Sequence, residues 1–175
     1  MSSKQGNSRN RIDAKRVVRY ALLCALCIIA GYIESLLPTA LIAPGVKLGI
    51  SNALALTLLL FGDIKGAFAV NITRILLSSL LFGSPFSLLF SLAGGIISML
   101  VAWLVKKCKG ISPIGISMLS AVVHNVTQIA VACIVTGVGV VYYLPVLMLS
   151  GLVCGGAVGY LSVLLLKKVK TNWIF

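Results

Sequence analysis

A few polar side chains interrupt sequence that is otherwise almost entirely apolar, and these residues could do chemistry. Arg74 has Asn71 three residues before it and Ser78 four residues after it, so the three share one face of a helix. A guanidinium is a fork-shaped donor that suits anionic or carbonyl groups, and nearby amide and imidazole groups would orient them. The pattern predicts a binding site for a small molecule. Its candidate residues are Arg74, His124, Asn125, Gln128, Asn52, Asn71, Lys47 and Glu34.

The acidic residues and cysteines do not form any familiar catalytic or metal-binding pattern. The only carboxylates, Asp13, Glu34 and Asp63, are scattered, so the chain lacks the aspartate pairs that hold Mg²⁺-diphosphate. It has no GxxxxGK[ST] motif for ATP hydrolysis. Cys24 and Cys27 form a CxxC motif without the further ligands of a zinc site. We therefore predict no autonomous enzyme, no cofactor and no metal, and we interpret the cysteines as small packing residues.

The composition indicates that the elements carrying these residues lie in lipid. The chain has 175 residues, of which 59% are hydrophobic and 10% charged, whereas a soluble domain has about 25% charged residues. We predict an all-α bundle of six transmembrane helices, in which residues 1–16 form a basic mobile tail and residues 167–175 a second basic tail. The six expected spans are residues 17–37, 47–61, 66–81, 87–105, 113–136 and 142–166.

The distribution of basic residues predicts the orientation of the bundle. Of the 15 Lys and Arg residues, six lie before residue 20, three follow the fourth span and three follow the sixth. Cytoplasmic loops are enriched in these residues, so both termini should face the cytoplasm of a bacterial cell and Lys47 should be the one cation on the outer side. Because the basic residues flank hydrophobic segments, the net charge of +12 does not indicate nucleic-acid binding.

Counting residues along the spans predicts where the polar groups meet. Arg74 lies nine residues beyond Lys65, which is about 14 Å along a helix and close to the membrane midplane. Glu34 and Lys47 bracket an outer loop, and Asn52 starts the second span at a similar level. These positions predict one polar pocket that opens outward.

Structural roles are the alternative for each of these side chains. Arg74 could pair with Glu34 instead of a ligand. His124, Asn52 and Asn71 could form hydrogen bonds between helices, as polar residues in membrane bundles commonly do. Glu34 and Lys47 could be interface residues only.

Small residues four positions apart predict close helix contacts. Gly151, Gly155 and Gly159 form two overlapping GxxxG patterns in the sixth span. Ala21 and Ala25 form a similar pattern in the first span.

Residues 44–52, which read PGVKLGISN, resemble the Gx transporter family. Its members are often labelled heptaprenyl diphosphate synthase component I, and the family is related to the substrate-binding S components of energy-coupling factor transporters. The resemblance covers about residues 17–166. It implies a six-helix fold, a gate at residues 38–46 over an outward-facing pocket, and a docking surface at Ala21 and Ala25 for a coupling subunit that carries two ATPases.

The resemblance implies a substrate-binding subunit for small-molecule uptake, with the membrane lipid around it and an ATPase-bearing partner to power it. Its cargo would be an isoprenoid- or quinone-related compound or a vitamin-like one. The alternative is a non-catalytic membrane subunit that assists heptaprenyl diphosphate synthesis or a quinone-linked redox complex. A third class, a structural scaffold, would have its intramembrane polar groups pair only with one another.

Overall fold

The regular structure of the chain is helical in every part that the computed structural model describes, which is residues 3–36, 49–108 and 110–168. The predicted all-α fold is confirmed. The elements are α1 (Ser3–Leu36), α2 (Ile50–Phe61), α3 (Ile64–Phe82), α4 (Pro85–Lys106), α5 (Pro113–Thr136), a 3₁₀ helix (Val138–Tyr143) and α6 (Leu144–Lys168).

Five helical segments are long and apolar enough to cross a bilayer, and the chain is therefore a multi-pass membrane protein. The helix α2 has 12 residues, which is about 18 Å of helix against the roughly 30 Å of hydrocarbon in a membrane. It is thus shorter than the second span expected at residues 47–61. The five long segments are Ala14–Glu34, Ile64–Phe82, Pro85–Lys106, Pro113–Thr136 and Val138–Lys168.

The short helix α2 is the centre of the bundle. It contacts α1, α3, α4 and α6, and it buries side chains on several sides, including Ala53, Leu56, Leu58 and Leu59. A helix that is hydrophobic all round is stable only when other helices or lipid surround it. The other helices pack against one another in neighbouring pairs, which are α1 and α3, α3 and α4, α4 and α5, and α5 and α6.

One end of the bundle, which we call the basic face, collects the turn between α2 and α3 and the C-terminal end of α4. Asp63 caps α3 by accepting from the Gly66 N–H at 3.0 Å, and it also accepts from the Tyr20 hydroxyl of α1 at 2.5 Å. Lys106 donates through Nζ to the Leu59 carbonyl at the end of α2, at 2.6 Å. These bonds place the start of the first span beside the ends of α2 and α4. This is the arrangement expected if successive helices cross the membrane in alternating directions.

The other end, which we call the opposite face, collects the end of α1, the start of α2 and the end of α3. The rings of Tyr32 and Phe82 lie 5.0 Å apart. Glu34 accepts through Oε1 from the Gly49 N–H at 2.7 Å.

The glycines of α6 allow it to pack closely on α5, as their spacing predicted. A Cβ on Gly155 would lie 2.8 Å from the Met118 Cα, and one on Gly159 would lie 2.8 Å from the Ile114 Cα. Only residues without side chains permit this approach of two backbones. Ile114 lies in the first turn of α5, which follows the end of α4 on the basic face. Gly159 lies towards the end of α6 and packs against Ile114, so the end of α6 is on the basic face as well.

Two helix boundaries differ from the sequence prediction. The helix α1 begins at Ser3 and not near residue 17, because Lys, Arg and Gln favour helix and the preceding segment can continue the helix that the apolar span establishes. The turn expected at residues 137–139 is limited to Gly137, whose φ is 96°. A 3₁₀ helix follows it directly.

Candidate ligand-binding cavity

A cavity of about 400 Å³ lies inside the bundle, at the N-terminal end of α2. Ser51 and Asn52 at the start of α2 border it, and α1, α3, α4, α5 and α6 supply the other walls. It extends to the opposite face, where Phe82 and Gly83 line it.

An apolar core closes the cavity towards the basic face. Leu56, Met99 and Val158 belong both to the cavity wall and to this core. The core as a whole takes residues from all six helices, among them Leu59 near the end of α2 and Ala102 near the end of α4. Among the described residues, the cavity therefore opens towards the opposite face, while packed side chains separate it from the basic face.

Arg74 is buried on α3, with 7% of its surface exposed, and it lines the cavity. Its Nε and Nη2 donate to the same Asn71 Oδ1, at 3.2 and 2.8 Å. Nη2 also donates to Asn52 Oδ1, and Nη1 donates to Ser51 Oγ at 3.2 Å. These bonds use four of the five guanidinium N–H groups. They hold Arg74 in one orientation between α3 and α2.

Asn71 links this arrangement to a third helix. Its side chain is 1% exposed, and its Nδ2 donates to the Gly95 carbonyl of α4 at 3.0 Å. Gly95 permits the contact because a Cβ there would lie 3.3 Å from Nδ2 and would collide with Ile75. Since both ends of the Asn71 amide bind protein groups, this residue positions Arg74. Asn71 also lines the cavity, and its role in binding substrate stays a prediction.

Glu34 also lines the cavity, but its carboxylate is engaged at the start of α2. A negative charge there is favourable because the N-terminal end of a helix carries partial positive charge. Across the described part of the chain, the hydrogen bonds of Arg74 go to neutral oxygens and no ion pair joins it to Glu34. The pairing considered from the sequence is therefore absent from the described residues.

The α5 wall carries His124, Asn125 and Gln128, as the sequence predicted. Asn125 donates through Nδ2 to the Leu147 carbonyl of α6 at 2.6 Å, so part of its role is to join these two helices. Gly94 of α4 faces the other two residues, because a Cβ there would lie 3.1 Å from His124 Cε1 and from Gln128 Cγ.

Sequence reasoning placed Ser78 on the same helix face as Arg74 but missed the other serines of the cavity. Their spacing was a usable signal. Ser87, Ser91 and Ser98 share one face of α4, and Ser117 shares one face of α5 with the candidate residue His124. Apart from Ser78, we chose candidates whose side chains are costly to place in lipid, and a serine hydroxyl is not. The serines that line the cavity are Ser51, Ser78, Ser79, Ser87, Ser91, Ser98, Ser117 and Ser120.

The other predicted functional residues lie outside the cavity or outside the described residues. Lys47 and the proposed gate at residues 38–46 belong to the part of the chain that is not described. Ala21 and Ala25 are exposed on the outer surface of α1. Within residues 3–36, 49–108 and 110–168, no group of three His, Cys, Asp or Glu side chains is arranged to hold a metal ion.

The fold and the cavity together define a class: a multi-pass helical membrane protein with a polar, ligand-sized cavity inside its bundle. The family model for heptaprenyl diphosphate synthase component I matches residues 23–165, which is most of the chain. The chain belongs to this family, and the resemblance seen in the sequence is confirmed. No curated protein and no solved structure matches the chain.

Proposed function

We propose that this protein is the membrane-embedded substrate-binding subunit of a small-molecule uptake transporter, similar to an S component and located in the cytoplasmic membrane. The observation that carries the proposal is the polar cavity around Arg74. An ionised side chain in the middle of a membrane span is costly and is usually retained for a substrate path or a partner. Here the hydrogen bonds that orient Arg74 leave it beside a cavity of ligand size.

The two ends of the cavity support binding from outside the cell. The apolar core separates the cavity from the basic face, and basic loops are normally cytoplasmic. A ligand would therefore enter from the outer side and would reach the cytoplasm only after the core opened. The sequence has no ATP-binding motif of its own, so a separate ATPase-bearing partner would power that step.

The exposed side of α1 is our proposed docking surface for that partner. Ala21 and Ala25 are exposed there, and small side chains let another helix approach closely. The assignment of this surface to a coupling subunit of the energy-coupling factor type rests on the family resemblance.

Copurification and uptake assays test the proposal together. A variant carrying both Ala21→Leu and Ala25→Leu should lose copurifying ATPases and at least about 90% of uptake, because two larger side chains would hold the partner helix away. Ala130→Leu is the matched control, since Ala130 is an exposed alanine on the distant helix α5. If the double variant and the control behave alike, the docking surface is wrong; if wild-type protein copurifies with no ATPase, the transporter proposal is wrong.

The family name favours a second candidate function, a non-catalytic membrane subunit beside a heptaprenyl diphosphate synthase or a quinone-linked redox complex. In that case the wild-type protein should copurify with a prenyl synthase or redox subunit and should raise the product yield of that enzyme in membranes. Uptake of small molecules would then be the same with and without the protein.

The scaffold alternative receives less support. Several polar groups do pair within the protein, as it expected, including Arg74 with Asn71 and Asn125 with the Leu147 carbonyl. A scaffold, however, would have no use for a polar cavity of about 400 Å³ that reaches one face of the bundle.

A further inference from the structure

Two arginines of α1 lie at the basic face, beside the turn between α2 and α3. Arg16 is four residues before Tyr20 and Arg19 is its direct neighbour, and the charges of both arginines act on the Tyr20 hydroxyl. That hydroxyl donates to Asp63 in the turn. The membrane span of α3 begins at Ile64, directly after Asp63. The two arginines are therefore at the level where the hydrocarbon of a membrane meets the lipid headgroups.

Neither arginine has its charge balanced by Asp63. This carboxylate is already bound by the Gly66 N–H and by the Tyr20 hydroxyl. Within the described part of the chain, no ion pair joins it to Arg16 or Arg19. Arg19 is half-buried, and its Nη1 is buried without a hydrogen-bond partner among the same residues. A buried donor of a charged group is costly to leave unpaired, so an acceptor from outside the chain would stabilise Arg19.

Two other cations of the basic face, at the end of α4, already have partners. Lys106 donates through Nζ to the Leu59 carbonyl. Lys107 Nζ lies 3.7 Å from the centre of the Trp103 ring, which is a cation–π contact. The two arginines of α1 are therefore better placed than these lysines to bind an external anion.

An exposed apolar stripe runs along α1 from Arg19 towards the opposite face. Its members follow Arg19 at three, seven, ten and fourteen positions, which is the spacing of one side of a helix, and each is 45–55% exposed. They are Leu22, Leu26, Ile29 and Ile33. The stripe is about 21 Å long, whereas one leaflet has roughly 15 Å of hydrocarbon. An acyl chain that starts at Arg19 would therefore contact apolar side chains through the whole leaflet.

We infer that an anionic phospholipid binds on this side of α1, with its phosphate on Arg16 and Arg19 and an acyl chain along the stripe. A guanidinium suits a phosphate because it donates two parallel hydrogen bonds to it. Basic groups at the ends of membrane helices attract anionic headgroups. The stripe favours a lipid over a soluble anion or an acidic protein segment, since a lipid joins a phosphate to a hydrocarbon chain. The inference is independent of the proposed function, because it requires neither a transported substrate nor a coupling partner.

Native mass spectrometry of the purified full-length protein in mild detergent tests this inference. The probes are dioleoyl-phosphatidylglycerol, which is anionic, and dioleoyl-phosphatidylcholine, which has the same chains and no net charge. We expect the wild-type protein to bind phosphatidylglycerol at least about tenfold more tightly than phosphatidylcholine. A large excess of inorganic phosphate should not displace the lipid, because phosphate gains nothing from the apolar stripe.

Paired variants locate the site. Arg16→Gln together with Arg19→Gln should weaken phosphatidylglycerol binding at least about tenfold. Lys167→Gln together with Lys168→Gln is the matched control, since it removes the same charge from exposed residues of the basic face at the end of α6, and it should change binding less than about twofold. If the glutamine pair at α1 does not fold, Arg16→Lys with Arg19→Lys retains the charge. It should still weaken binding at least about threefold, because lysine lacks the fork geometry.

The inference is overturned if the wild-type protein binds the two lipids equally, or if inorganic phosphate displaces phosphatidylglycerol. Equal losses in the arginine and lysine pairs would indicate diffuse surface charge and would also overturn it. Unchanged phosphatidylglycerol binding in either arginine variant has the same meaning. If such a variant instead loses a copurifying protein, the arginines belong to a protein contact.

Discussion

Asn71→Leu tests whether the orientation of Arg74 is built into the fold. Leucine keeps the branching of asparagine at Cγ but cannot form hydrogen bonds, so the change removes three of them. One is the bond from Asn71 Nδ2 to the Gly95 carbonyl, and two are the bonds that the shared Oδ1 accepts from Arg74. The change should destabilise the protein and weaken ligand binding together.

The size of the effect follows from these bonds. A hydrogen bond between helices in a membrane protein contributes about 0.6 kcal/mol on average. The two bonds from Arg74 share one acceptor, so we count them as one charge-assisted hydrogen bond of about 1.5–3 kcal/mol. We therefore expect Asn71→Leu to lower the free energy of unfolding by about 2–4 kcal/mol.

Reversible unfolding in mixed micelles of mild and denaturing detergent measures this free energy. Thr57→Val is the matched control, because Thr57 is also buried in the bundle but its hydroxyl donates only to Ala53 of its own helix. The control should cost less than about 1 kcal/mol. If Asn71→Leu costs no more than Thr57→Val, Arg74 does not depend on Asn71 and the network described above is not what orients it.

Three further predictions concern packing, the ligand and the orientation. Gly155→Ala should destabilise the bundle by about 1–3 kcal/mol, as measured by the same detergent titration, because its methyl group would collide with α5. The neighbouring Gly156→Ala should change stability by less than about 0.5 kcal/mol, since its nearest contact is at 4.0 Å, and equal effects would contradict the packing argument. Gly94→Ala should weaken ligand binding several-fold in calorimetry by displacing His124, and an unchanged Kd would show that this wall does not contact the ligand. In a variant whose only cysteine is Cys108, an impermeant maleimide should label inside-out vesicles and leave right-side-out vesicles unlabelled, because Cys108 is exposed beside the basic loop. The reverse labelling would refute the predicted orientation.

The helices were largely predictable because their ends carry local signals. The fifth span, predicted at residues 113–136, is found at Pro113–Thr136, since Ser112 and Pro113 start the helix and Gly137 ends it. The helix α2 was less predictable. Its 12 residues are too few to span a membrane alone, and its apolar sequence did not show that other helices surround it on several sides.

The candidate site was predicted in part. The polar residues stood out because such side chains are expensive in lipid, and seven of the eight substrate-binding candidates line one cavity, while Lys47 lies outside the described residues. Their roles in binding stay predictions. The hydrogen-bond partner of each side chain could not be predicted from the sequence, since it depends on which helices are neighbours. Asn71 reaches Gly95 across 24 positions of sequence, and Asn125 reaches Leu147 across 22.

The sequence by itself determined that this is a membrane protein, roughly which residues form its helices, and which face of the bundle is basic. Hydropathy, helix length and charge are local properties of the chain. Only the tertiary structure decided that Arg74 is held by three neutral side chains, that Glu34 binds the start of α2, and that serines from four helices complete the cavity. The physical reason is distance. A hydrogen bond requires its atoms to lie within about 3 Å, and the packing of separate helices sets those distances.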